Sequence, residues 1–159
     1  DMPSSGSATY NGFAQMLMSF KVHELEGGLL FYYNGTSTFT ADFATRDITG
    51  RLEFDYDAAP WDAANGIWAD PGEPFWWLEL ANGTISGTSF SGTTDYDSIT
   101  GEEVTNGDYT ISFTGNFYGP NATELGGIFN YSNENHPTDN PSGTGSLYAI
   151  GTFTGCQGC

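Results

Sequence analysis

Apolar and polar side chains alternate with a period of two along most of this chain, and that pattern predicts strands. In "TSTFTADF", residues 36–43, Phe39, Ala41 and Phe43 fall on one face of an extended segment. After a turn at "ATRD" the alternation resumes over 48–56. Ile48, Leu52, Phe54 and Tyr56 face one way, and Thr49, Arg51, Glu53 and Asp55 the other. The pair reads as a β-hairpin with one wet face. Gly50 falls on its apolar side, where a bend or a close backbone approach is expected. "FWWLEL", 75–80, is a strand with Trp76, Leu78 and Leu80 in one row. Asn82-Gly83 is a tight-turn signal, so "TISGTSFSG", 84–92, is expected to return beside it, with a bulge near Ser89 and Phe90 where the parity breaks.

The clearest alternation follows. Tyr109, Ile111, Phe113 and Phe117 share one face of "YTISFTGNF"; after "YGPN", Leu125, Phe129 and Tyr131 turn inward, and Leu147, Ala149 and Phe153 do so in the closing strand. The first 35 residues are less regular: "ATYNGFAQMLMSF" fits one long strand and "GGLLFYYNG" a short strand or a strand continuation. Polar segments 57–74, 93–107 and 131–145 read as loops. The sum is an all-β chain of about eight antiparallel strands, the number at which side chains alone fill a barrel. Closure removes exposed strand edges. Small inward residues (Ala41, Gly50, Gly87, Gly127, Ala149, Gly151) alternate with large aromatics, which suits a small filled barrel better than a sandwich. The expected fold is therefore a single eight-stranded, antiparallel, up-and-down β-barrel over 8–155. A flexible segment (1–7) precedes it, a processed end or a linker, and a Cys-x-x-Cys tail (156–159) follows.

Composition sharpens this picture. Aromatics make up 16% and glycines number 22, while charged residues reach only 14%, a balance that suits strands and turns over helices. The formal net charge of −17, with three Lys and Arg in all, excludes a nucleic-acid partner, which needs clustered cations, and an anionic membrane surface. No run reaches the roughly 18 apolar residues of a membrane helix.

Candidate chemistry is sparse. No nucleophile elbow, His-Glu-x-x-His or phosphate-binding glycine motif occurs, so no enzyme is expected. Asp95, Asp97, Glu102 and Glu103 invite a calcium reading, but Ile99 and Thr100 stand where an EF-hand needs an oxygen ligand and a glycine. Glu124 is expected to face solvent or to accept backbone N–H groups at its turn. Cys156 and Cys159 are the two cysteines; they fit a local or intermolecular disulfide, an inert tail, or redox chemistry, the last lacking the helix such motifs open. His23 and His136 sit in polar surroundings and are the candidates for haem ligation. Trp61 and Trp68, on a loop, are the candidates for a ligand-contact surface, including sugar stacking.

Four segments in order, "FTADFATRDITGRLEF", "TISGTSFSGT", "GNFYGPNATELGGIFNY" and "GSLYAIGTFTG", resemble the transferrin-binding-protein-like β-barrel family over roughly residues 36–154. The stretch from Gly119 to Phe129 is the specific part. The resemblance implies an eight-stranded barrel, secreted or on the outer surface of a Gram-negative bacterium. It also implies a non-enzymatic role in binding a protein or small ligand, with haem or another iron source among the expected cargoes. Family partners are held by variable loops, so no binding residue carries over. Two rival readings stand beside it: a structural subunit of an extracellular assembly that self-associates, and a carbohydrate-binding module using Trp61 and Trp68.

Overall fold

The ambiguous N-terminal third contains the longest strand, which closes the sheet, and the one that follows it. In a computed structural model that describes residues 2–22, 29–54, 76–94, 96–97, 102–103, 109–137 and 144–159, β1 (Ser7–Val22) runs for 16 residues and β2 (Leu29–Asp42) for 14. They are followed by β3 (Asp47–Phe54), β4 (Trp76–Ser86), β5 (Ser89–Thr94), β6 (Tyr109–Tyr118), β7 (Glu124–Pro137) and β8 (Thr144–Cys156). Each strand pairs antiparallel with the next in sequence, and β8 pairs with β1, so the eight form a closed up-and-down barrel. A separate pairing of Tyr96–Asp97 with Glu102–Glu103 lies within the 93–107 segment.

The inward rows are those the alternation predicts. Phe39, Ala41, Ile48, Leu52, Phe54, Leu78, Leu80, Ile111, Phe113, Phe117, Leu125, Phe129, Tyr131, Leu147, Ala149 and Phe153 are buried, joined by Tyr10, Met16 and Phe90. Aromatic rings meet in the interior: Phe39 lies 4.6 Å from Phe153 between centroids and Phe90 5.1 Å from Phe117, and Phe54 of β3 meets Phe129 of β7 across the barrel at 5.9 Å. Such volume fits because inward phenylalanines face glycine across the ladder. The register pairs Phe39 with Gly50, Phe90 with Gly115, Phe113 with Gly92, Phe129 with Gly151 and Phe153 with Gly127. A β-carbon on any of these glycines would meet the partner ring. The glycines thus set the radius at which the barrel fills.

Three expectations are corrected. Asn82-Gly83 does not turn the chain: β4 continues through it. Ile48 pairs with Gly83 and Gly50 with Leu80, so two residues of β4 oppose one of β3. Asn82 takes a left-handed φ of 55°, and Gly83 is pressed on Ile48 and Phe113, leaving a bulge that bends the sheet. The turn comes at Gly87-Thr88, between Ser86 and Ser89, and the pairing past Ser89 and Phe90 is regular. Gly87, with φ 62°, is therefore an exposed hairpin residue and not a small inward one.

One end of the barrel is closed by side chains. Tyr10 Oη donates to the Ala122 carbonyl at 2.7 Å, under the short 3₁₀ turn Pro120–Ala122. Gln157 Nε2 donates to the same carbonyl at 2.9 Å and to Tyr10 Oη at 3.1 Å, while its backbone N–H donates to Thr123 O at 2.9 Å. Cys156 and Cys159 form an intrachain disulfide around Gln157, selecting the local pairing among the sequence alternatives.

Candidate functional site

Aromatic rings fill the interior among the described residues, so the surfaces they leave to a ligand are the ends and the outer wall. Of the residues singled out from sequence, His23, Trp61 and Trp68 lie outside the described residues. His136 belongs to β7, where its backbone pairs with Gly145; its side chain is outside them too. Among the described residues no three His, Cys, Asp or Glu side chains group as a metal site, and Glu124 is exposed beside the closed end of the barrel.

The outer wall has two unlike sides. On β3 and β4, Arg51 Nε meets Glu53 Oε1 at 2.8 Å, Arg51 Nη1 meets Glu79 Oε1 at 2.8 Å, and the guanidinium lies 5.4 Å from the Trp77 ring centre. These side chains are about half-buried, so solvent still screens the pairs and they orient the surface more than they stabilise it.

The other side is apolar. Tyr32 of β2, Leu17 of β1 and Ile150 of β8 stand in one cross-strand row. Leu30 and Tyr148 flank Ser19 in the next row, and Ile128 of β7 lies opposite Thr152, one step diagonal to Ile150. These side chains are exposed, Leu30 by 69% and Ile150 by 56%. Between them runs a shallow groove of about 360 Å³, lined by Leu17, Tyr32, Ile128 and Ile150. Outward positions 30–40 of β2, 9–19 of β1, 146–154 of β8, 126–132 of β7 and 110–118 of β6 carry no charged residue. In a chain of net charge −17 this is a marked segregation.

Alternation alone does not single out this face, yet the sequence carries its signal. "FAQMLMSF", "LLFYY" and "LYAI" are apolar at both parities, which is why the N-terminal third resists a one-sided reading.

Comparison with known proteins places the fold. The family model described as the C-lobe and N-lobe beta barrels of Tf-binding protein B matches residues 2–150. Transferrin-binding protein B of Haemophilus influenzae is 30% identical over 153 residues, which is 91% of this chain and 22% of that protein. An uncharacterized protein of the same organism is 32% identical over 128 residues, covering 80% of this chain and 34% of its own length. Among solved structures, isotype 1 transferrin-binding protein B from serogroup B Neisseria meningitidis aligns with a TM-score of 0.53 at 18% identity, covering 98% of this chain and 26% of that one. A variant of the Haemophilus parasuis protein aligns with a TM-score of 0.51 at 23% identity, covering 98% and 27%. The chain spans between a fifth and about a third of the length of these relatives. Matched over nearly its whole length, the chain belongs to the family of the β-barrels of transferrin-binding protein B.

Proposed function

We propose that this barrel is a domain of a non-enzymatic binding protein on the outer surface of a Gram-negative bacterium, and that it captures a protein ligand of the transferrin class. The match over residues 2–150 to barrels of a protein named for transferrin binding carries the reading. The aromatic packing of the interior among the described residues supports it, because such a core suits a macromolecule held outside better than a small cargo held within. The contact residues we assign are Trp61 and Trp68, since aromatic side chains in a segment whose sequence reads as a polar loop supply interface anchors. The acidic surroundings would accelerate encounter with cationic patches of the ligand.

The test is surface plasmon resonance with immobilised iron-loaded and iron-free transferrin. Saturable binding that weakens at least tenfold in the Trp61→Ala, Trp68→Ala double variant supports the reading. Absence of binding to either form overturns transferrin as the ligand; binding unaffected by the double variant overturns the loop assignment.

A further inference from the structure

We propose that the apolar wall formed by β2, β1, β8 and β7 is the contact face for a second copy of this chain, so that two barrels pair side by side about a two-fold axis. Independently of any ligand, the composition of that wall favours the pairing. Leu17, Leu30, Tyr32, Ile128, Tyr148 and Ile150 are all between 41% and 69% exposed and adjoin one another across four strands. Aromatic side chains present about 150–250 Å² each and aliphatic ones somewhat less, so these six expose on the order of 600 Å² of apolar surface. That is at the top of what a lone monomer shows. With the uncharged spacers Gln15, Ser19 and Thr152 the patch approaches the roughly 800 Å² per partner of a standard interface.

A second copy is the occupant this chemistry fits. A two-fold contact sets one patch against itself, and a patch without charge meets itself without a like-charge pair. Repulsion between the acidic remainders of the two copies is reduced by salt, with a Debye length of about 8 Å at physiological ionic strength. The groove beside Ile150 and Tyr32 gives the projecting residues of the partner a place to seat. With all strands paired around the barrel, association is through side chains and not through a free edge.

Sedimentation velocity on the chain between 1 and 200 µM, in 50 mM and 500 mM NaCl, tests this. A dimer whose dissociation constant falls as salt rises is expected, because salt screens repulsion between two copies of charge −17. Leu17→Asp with Ile150→Asp should raise that constant at least about tenfold, a loss on the scale of an interface hot spot. The milder Tyr32→Ser gives the same direction should the double variant lose its far-UV circular dichroism. A monomer at every concentration and salt overturns the proposal and leaves the wall to another domain or a foreign protein. So does a dimer that weakens with salt, or one indifferent to these substitutions.

Discussion

The Phe39 ring lies against Gly50, its partner across the β2–β3 ladder, so tightly that a single methyl group on Gly50 would overlap the ring. The same relationship recurs between Phe129 and Gly151 and between Phe153 and Gly127. A glycine inside a strand normally weakens it. Here the neighbouring ring covers the bare backbone and recovers burial that the glycine itself lacks.

Gly50→Ala should therefore destabilise the barrel by about 1–3 kcal/mol, the range for overpacking a filled core. In a domain of this size each kcal/mol lowers the melting temperature by roughly 2–4 °C. Phe39→Leu alone is also costly, since it leaves space. The combination should cost less than the sum of the two, with a coupling of at least about 0.5 kcal/mol in a double-mutant cycle by urea unfolding. Additive effects would show that ring and glycine do not share their space.

Much of this fold is legible in the sequence because a barrel wall with one wet side writes itself as period-two alternation. Ile48 to Phe54 and Tyr109 to Phe117 are examples. Gly50 is legible as a close approach because it interrupts an apolar row. Asn82-Gly83 misleads because the same left-handed preference serves a turn or a bulge, and the packing of Gly83 on Ile48 and Phe113, a long-range fact, decides between them. The apolar wall is hidden for a related reason. Leu17 and Ile150 come within one row only when β8 closes on β1, a pairing between opposite ends of the chain. Local periodicity does not encode it.

Ser37, buried in β2, sends its hydroxyl past Gly12 of β1 to donate to the Thr154 carbonyl of β8. The bond works because Gly12 has no side chain; a β-carbon there would strike that carbonyl. Ser37→Ala should cost about 1–3 kcal/mol, the penalty for leaving a buried acceptor without its donor. Denaturant midpoints of the two proteins measure it, and an unchanged midpoint would mean that water replaces the hydroxyl.

Arg51 contrasts with Ser37. Although it reaches both Glu53 and Glu79 at 2.8 Å, its side chain is 42% exposed. Arg51→Ala should change stability by no more than about 1 kcal/mol, and the difference should shrink as salt is raised. Thermal melts at low and high NaCl separate that outcome from a structural role, which salt would not diminish.

The Cys156–Cys159 disulfide holds Gln157 where its amide reaches Tyr10 Oη and Ala122 O. A loop this short restrains little of the unfolded chain, so reduction should cost no more than about 2 kcal/mol globally. Its effect should be local: the Gln157 amide, which donates to Thr123 O, should exchange hydrogen at least tenfold faster after reduction, while amides of Phe39 and Phe129 hold their protection. Gln157→Ala with the disulfide intact should weaken the same barrel end by about 1 kcal/mol. Equal acceleration across all strands on reduction would assign the disulfide a global role instead.

Burial pushes the Tyr10 phenol above its usual value near 10, only partly offset by the hydrogen bond from Gln157. The folded protein holds this proton where the unfolded chain has lost it. The resulting stability is complete below about pH 10, the unfolded value, and is lost as pH rises toward the folded value. Unfolding free energy should therefore decline above pH 10 in the native sequence. In Tyr10→Phe that share of the decline should vanish, so the two curves converge with rising pH. At pH 7 the variant should be the less stable by about 1–3 kcal/mol, because the Ala122 carbonyl loses its Tyr10 donor and keeps only Gln157. Urea midpoints from pH 7 to 11 test both statements, and parallel curves would show that Tyr10 ionises equally in the folded and unfolded chains.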